Sequence, residues 1–566
     1  MNKFLQSNFR WPLILIGLLV INYLASLFHT RFDLTKEKRY TLSQPTKELV
    51  QQLDSVIVID VFLKGDFPSG FKKLANSTEE FLRVLKDQNP TKVQYNFISP
   101  EDGIPGTRSR YGDTLVAMGA NPINLTVQIE AGQQNKLVFP VAMVTYKGEQ
   151  QLVDLFNSRS VQISQAETNS AEARMEYNFL KTLNDLVNAG KPMVAYSVGN
   201  GELTDARTYD LQQVLQKDYS LFTIDLFTEP FIPDTFKTLM IVKPSFRFTD
   251  EEKLKIDQFV MRGGNLLFFI DALYAEQDSL RFKTETIAYD RDLNLTDMLF
   301  RYGVRINPDL IMDLQCDFMP FAVGGSPDNP QYEFLRWNYY PVFVSNNNHL
   351  INKNIGPVAG RFVNSIDTVQ AAGINKTILL SSSANSRTIT TPALISLNEN
   401  RNTPEDALFN KANIPAAVLL EGSFKSLYRS RAGKSITDSL AMMGVPFRDS
   451  SLPAKLIIAG DADIVLNDVS TKDGPLPMGI NLFNIGSQYE YQFANREFLM
   501  NCLEYLTNKP EIIAVRNKDM VLRLLDGEKV KSQRTLWQFL NIGLPVLLVI
   551  LIGWIYQQLR RRQYTA

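Results

Sequence analysis

Two apolar runs without Asp, Glu, Lys or Arg, one near each end of the chain, constrain everything that lies between them. The first, Trp11 to Phe28 (WPLILIGLLVINYLASLF), extends ~27 Å as a helix at ~1.5 Å per residue, close to the hydrocarbon thickness of a bilayer. It is longer than the ~7–15 apolar residues of a cleavable signal and no small-x-small site follows it, so it reads as a signal anchor. The second, Leu536 to Tyr556 (LWQFLNIGLPVLLVILIGWIY), carries Trp537, Trp554 and Tyr556 where aromatic rings favour the membrane interface, and Arg560, Arg561 and Arg562 follow it. The positive-inside rule places the tails 1–10 and 557–566 in the cytoplasm of a bacterial inner membrane, with the bulk of the chain periplasmic. Pro545 is expected to kink the second helix. Asn22 and Asn541 either hydrogen-bond a partner helix or face lipid near helix ends.

At 566 residues the chain exceeds what one hydrophobic core organises, and 45% hydrophobic with 21% charged residues is a composition that folds. The net charge of -1, with no basic block, excludes nucleic acid as the expected partner. Only two histidines, His29 and His349, are present. That removes most routes to a histidine-based metal site or an activated nucleophile. Cys316 and Cys502 show neither metal-ligand spacing nor a disulfide framework, and their pairing stays open. These scarcities point away from an enzyme, and no cofactor or metal is expected.

Between the anchors the reading is α/β throughout. Ser43 is a candidate N-cap for a helix over Gln44 to Leu53, with Pro45 tolerated in its first turn. Val56 to Leu63, the amphipathic run Phe71 to Lys86 and Val93 to Ile98 form a β-α-β unit, and strands Val141 to Tyr146 and Gln151 to Phe156 follow Pro140. This order resembles a thioredoxin-like fold over residues 31–165, in which a proline, often cis, precedes the hairpin. Asp66-Phe67-Pro68-Ser69 stands where the redox CxxC would be, which excludes thiol–disulfide chemistry and leaves a binding or scaffolding use. Residues 166–190 read as a helical linker, with Met175, Phe179, Leu180, Leu183 and Leu186 near helical spacing.

A second unit occupies residues 191–510. Strands at Met193 to Val198, Leu221 to Leu226, Thr238 to Val242 and Leu266 to Ile270 alternate with helices at Tyr209 to Gln216 and Thr249 to Met261, the latter capped by Thr249 and closed at Arg262-Gly263-Gly264. Apolar strands alternating with helices predict a mostly parallel, doubly wound sheet. Later strands are expected at Leu310 to Leu314, Thr377 to Ser381, Ala416 to Leu420 and Lys455 to Ala459, a closing helix at Arg496 to Leu506, and surface loops at Gly324 to Gln331 and Ser345 to Gly356. Residues 511–535 lead to the second anchor.

Three motifs bear on chemistry. Gly433-Lys434-Ser435 ends like a phosphate-binding loop, but Tyr428 replaces its first glycine and no strand leads in, so nucleotide binding is rejected. Gly199 and Gly201, in a GNGE turn after a strand, either offer backbone donors to a ligand or form a plain sheet-edge turn. Asp271, Asp461 and Asp463 end predicted strands, where α/β sheets bind ligands and carboxylates can hold a cation. Such aspartates are also ordinary caps and turn formers.

The strings RFDLTKEKRYTLS at Arg31 to Ser43, VFLKGDFPSGFKKL at Val61 to Leu74, IDQFVMRGGNLLFFID at Ile256 to Asp271 and YGVRINPDLIMD at Tyr302 to Asp313 resemble the GldG family, gliding-motility-associated ABC transporter auxiliary (substrate-binding-like) proteins of Bacteroidota. The third string is shared with glutamine-amidotransferase-like α/β domains. The resemblance implies a thioredoxin-like domain followed by an amidotransferase-like domain, flanked by two transmembrane helices. It also implies a multi-spanning ABC permease, a cytoplasmic ABC ATPase reached through it, membrane lipid, and periplasmic cargo or motility proteins as partners in gliding and type IX secretion. No cysteine nucleophile turn or matching histidine accompanies the amidotransferase-like pattern. The expectation is therefore a non-catalytic transporter subunit. The alternatives are an extracytoplasmic ligand receptor or a hydrolase built on Asp271, Asp461 and Asp463.

Overall fold

The computed structural model describes residues 15–20, 22, 41–65, 67, 69–106, 109–120, 122–129, 132–156, 165–187, 190–277, 280, 285–326, 329–344, 347–353, 355–397, 406–507, 512, 515 and 527–564. The chain is mixed α/β. Most of the expected first anchor, most of the RFDLTKEKRYTLS string, and Asp66 and Pro68 of the corner motif lie outside the described residues.

The first sheet contains β1 (Ile57–Val61), β2 (Val93–Phe97), β3 (Val141–Tyr146) and β4 (Glu149–Asp154) in the order β2-β1-β3-β4. β1 and β2 run parallel, while β3 is antiparallel to both β1 and β4. Alternating Ile57, Ile59 and Val61 of β1 are buried against Phe71, Leu74, Leu82 and Leu85 of the helix that links β1 to β2. That period-two burial on a strand facing a 3.6-period stripe on a helix makes one core between them. The peptide bond before Pro140 is trans, since Thr391–Pro392 is the only cis bond among the described residues.

Two expectations change here. Residues 166–190 do not merely link domains. The helix α1 (Gln165–Val187) buries Met175, Phe179 and Leu183 in the first sheet's core, and Phe81 stacks on Phe179 at 5.2 Å. Its other face buries Tyr177 and Leu180 against Ile512 and Val515, and Lys181 meets Asp218 of the next unit at 3.1 Å. Ser43 stands at the N-cap of the helix Gln44–Gln51 without capping it. Its Oγ pairs with Thr46 Oγ1 at 2.8 Å, and its backbone N–H donates to Glu176 Oε1 of α1 at 2.6 Å.

The second sheet holds β5 (Met193–Val198), β6 (Ser220–Asp225), β7 (Thr238–Val242), β8 (Asn265–Phe269), β9 (Ile374–Ser381), β10 (Pro415–Gly422) and β11 (Ala454–Ala459) in the order β9-β10-β11-β8-β7-β5-β6. The run from β6 to β11 is parallel, whereas β10 is antiparallel to both β11 and β9. Met240, Val242, Leu267, Phe269 and Ile457 face one core with Leu211, Leu215, Phe498 and Leu503 from the helices Tyr209–Asp218 and Asn495–Thr507. Leu239, Ile241, Leu266, Phe268 and Ile458 face the opposite core with Ile256, Phe259 and Val260. Strands buried on both faces explain the continuous apolar runs. The helix Asp250–Met261 begins with a full capping box between Thr249 and Glu252 and ends at Arg262, with Gly263 in the left-handed region at φ 95°.

Within the segment expected as a loop, residues 324–326 and 329–331 instead pair as the ends of two long antiparallel strands, Cys316–Ser326 and Asn329–Phe343. At the root of these strands is an aromatic core of Trp337, Tyr339, Tyr340 and Phe362. Near the C-terminus, Ser532–Arg561 is the one helix among the described residues that is long and apolar enough to cross a membrane, and none of its most apolar stretch is buried. It belongs to a continuous helix, Gly527–Tyr564, that carries Pro545 within it. Residues 15–20 and Asn22 of the first run are helical, and all but Gly17 of them are exposed.

Candidate functional site

β7, β8 and β11 are parallel, so the residues that follow them meet at one edge of the sheet. Lys243 follows β7, Asp271 follows β8, and Asp461 and Asp463 follow β11. The three aspartates singled out in the sequence are thus brought together, and a lysine that the sequence did not single out pairs with two of them, Asp271 and Asp463. Lys243 Nζ lies 2.7 Å from Asp463 Oδ1, 3.0 Å from Asp271 Oδ2 and 3.2 Å from Glu276 Oε2. The cation that a carboxylate cluster would hold is here the protein's own ammonium.

The backbone is shaped for this. Lys243 adopts φ 50°, a left-handed conformation unusual for a residue with a side chain, and its N–H donates to Phe269 O at 2.9 Å. Asp271 Oδ1 accepts from Ala462 N at 2.7 Å, which ties the ends of β8 and β11 together. Asp461 is fully buried. Its Oδ1 accepts from Asp463 N at 2.8 Å and its Oδ2 from Arg361 N at 2.7 Å.

Charge and burial compete at each group. Burial alone would release the Lys243 proton, but Asp271, Asp463 and Glu276 together hold its affinity well above the usual lysine range. Burial pushes Asp461 well above the usual carboxylate range, and the neighbouring charges of Asp463 and Asp271 push it further. Burial likewise raises Glu276. The centre therefore favours the charged form of Lys243, while burial and the neighbouring carboxylates raise the proton affinity of Asp461. An amine nucleophile needs the opposite, a depressed proton affinity.

Beside this cluster lies a cavity of about 180 Å³, lined by Lys243, Glu276, Arg361, Asp463, Asn467 and Asp468 among others. Arg361 grips Asp468 with both terminal nitrogens at 2.7 Å, donates to Gln277 Oε1 at 2.9 Å, and stacks its guanidinium over Tyr340 at 5.4 Å. Glu276 also pairs with Arg291. Arg361 and Asp468 come from loops far apart in the chain, and no short-range pattern marks either. Lys243 carried only a faint signal, a charge placed directly after the apolar run LMIV of β7.

Gly199 and Gly201 follow β5 at the same edge but do not line the cavity. Both have positive φ, 112° and 79°, and a Cβ on Gly199 would stand 2.6 Å from Asp225 Oδ1. Asn200 O accepts from Ser245 N and Phe246 N, so the turn's own groups close on the neighbouring loop. Of the residues marked as membrane contacts, Asn22 and Asn541 are exposed and helical, and Pro545 lies within the helix Gly527–Tyr564. Among the described residues no group of three or more His, Cys, Asp or Glu is placed to hold a metal ion.

The chain is similar to an uncharacterized protein of Borreliella burgdorferi, at 21% identity over 464 residues, covering 78% of this chain and 82% of that protein. Among solved structures it is similar to the mmIFT52 N-terminal domain, with 14% identity, a TM-score of 0.30, and coverage of 56% of this chain and 98% of that one. It is also similar to a ThuA-like protein from Parabacteroides merdae, with 9% identity, a TM-score of 0.26, and coverage of 56% and 91%. At those scores neither structure bears on the fold. Residues 36–145 match a family described as a domain of unknown function. Residues 191–502 match the transporter-auxiliary family described as an ABC-type uncharacterized transport system. That stretch is more than half of the chain, which therefore belongs to this family of ABC-type transport auxiliary proteins.

Proposed function

We propose that the chain is a non-catalytic, membrane-anchored subunit of an ABC transporter, with two α/β units on the extracytoplasmic side and both termini in the cytoplasm. The observation that carries this reading is the apolar helix Ser532–Arg561, none of whose most apolar stretch is buried, on a chain whose larger unit matches the transporter-auxiliary family. The basic tail after that helix supports a cytoplasmic C-terminus. The lysine centre supports a non-catalytic role, because its ammonium is saturated by three carboxylates and held charged. The order β2-β1-β3-β4 supports a thioredoxin-like reading of the first unit, and the β5 to β8 run with helices on both faces supports an amidotransferase-like reading of the second.

In this reading the chain works with a multi-spanning permease and, through it, a cytoplasmic ATPase. Gliding motility and its associated secretion are the processes that the GldG-like strings suggest. The test is affinity capture of the full-length chain from detergent-solubilised membranes. Recovery of a permease and an ABC ATPase is expected, and a monomer free of both would refute the assignment.

A further inference from the structure

We propose that the junction between the two α/β units is a pH-sensitive latch, in which Asp185 and Asp218 compete for the single ammonium of Lys181. The latch does not depend on the membrane topology proposed above.

α1 enters the core of the first unit, and its last turns meet the helix Tyr209–Asp218 of the second. The ion pair Lys181–Asp218 joins the two helices at 3.1 Å, with 21% and 23% of the side chains exposed. Asp185 is buried on α1 four residues after Lys181, the spacing that puts two side chains on one face of a helix. A cavity of about 600 Å³ separates the units here, with Gln150, Gln151 and Leu152 of β4 on one side and Asp185, Lys191 and Lys217 on the other.

The charges at this cavity do not balance. Among the described residues that line it or pair across it, Lys181, Lys191 and Lys217 face Glu149, Asp154, Asp185 and Asp218, one carboxylate in excess when all are ionised. Lys217 Nζ lies 2.8 Å from Asp154, and Lys191 Nζ donates to Gln216 O at 3.0 Å. Both are engaged away from Asp185, which leaves Lys181 as the cation that two acids share. Tyr219 stands beside the same groups and stays neutral, since burial pushes it up to about 12.

Burial raises Asp185 from 3.8 to about 6, against the attraction of Lys181. While its carboxyl is protonated it tolerates a dry junction, and Lys181 serves Asp218 alone. Once ionised, it either shares that one ammonium or reaches water, and parting the units at the cavity gives it water. If Asp185 regains its ordinary 3.8 in the open junction, opening becomes more favourable by up to about 100-fold as pH rises through this range, one decade per pKa unit. The movement has a route outward. Tyr177 and Leu180 of α1 pack on Ile512 and Val515, which precede the apolar helix Ser532–Arg561.

The test is a spin-label distance measurement on the full-length chain in detergent, with labels on Gln150→Cys and Gln216→Cys in a chain carrying Cys316→Ser and Cys502→Ser. One short, narrow distance is expected at about pH 4.5, and a second, longer population should grow several-fold at about pH 8. Asp185→Asn should hold the short distance at both pH values. Asp218→Asn, which frees Lys181 to neutralise Asp185, should flatten the pH response as well. Equal distributions at the two pH values, or a response that survives Asp185→Asn, would overturn the latch. A response that survives Asp218→Asn would overturn the competition for Lys181.

Discussion

Replacing Lys243 with Met tests whether the lysine centre is an ion-pair knot that holds the strand ends together. Methionine keeps the length of the side chain and the left-handed backbone, so the substitution removes mainly the charge. It leaves Asp271, Asp463 and Glu276 facing one another without the ammonium that lies 2.7 to 3.2 Å from each. Removing one partner of a buried ion pair costs about 3–5 kcal/mol, and the loss should sit near the lower bound because Glu276 keeps Arg291. Burial raises the proton affinity of Glu276 and Lys243 opposes that rise, so loss of the cation raises Glu276 further in the folded state. Groups raised on folding contribute stability at low pH that is lost as pH rises, so the deficit of Lys243→Met should be largest near neutrality and shrink on acidification. Urea unfolding of the detergent-solubilised chain, followed by Trp337 fluorescence, reads this directly. Trp337 is fully buried, and the other tryptophans, Trp11, Trp537 and Trp554, all lie in the apolar runs. Adding Asp463→Asn to Lys243→Met removes one of the stranded charges and should recover part of the loss, a coupling that a double-mutant cycle measures. A deficit below about 1 kcal/mol, or one independent of pH, would show that the carboxylates do not depend on the ammonium.

Burial raises Asp185, on α1 at the junction of the two units, from 3.8 to about 6. Its contribution to stability is therefore present below pH 3.8 and lost as pH rises to about 6. Asp185→Asn should raise stability at pH 8 by up to about 3 kcal/mol, at 1.36 kcal/mol per pKa unit, and leave it unchanged at pH 3. Thermal melts at the two pH values check the sign. Gly199→Ala should destabilise the second unit by about 1–3 kcal/mol, because the residue holds φ 112° with Asp225 at its back. The same substitution should leave capture of the permease intact once the chain is folded. Thr249→Ala removes the capping box and should cost about 1 kcal/mol in urea unfolding.

Where local chemistry decides the structure, the sequence was sufficient. The strand Thr238–Val242 is apolar from Leu239 onward and is buried on both faces, and Thr249 with Glu252 forms the cap that their spacing implies. Asp271, Asp461 and Asp463 could be singled out because residues that end parallel strands share one edge of the sheet. Their occupant could not be, because Lys243, Glu276, Arg361 and Asp468 come from four separate stretches that only tertiary folding makes neighbours. The same limit explains α1, whose helical pattern was legible while the core it enters was not. It also explains Ser43, whose hydroxyl pairs with Thr46 instead of capping, while the Thr46 hydroxyl and the Ser43 N–H both donate to Glu176, more than a hundred residues away. By itself the sequence determined the apolar runs, the alternation of strands and helices, and which residues stand at the strand ends, since all of these depend on neighbours along the chain. Only the tertiary structure decided which charges neutralise one another, because that depends on how loops close over the sheet.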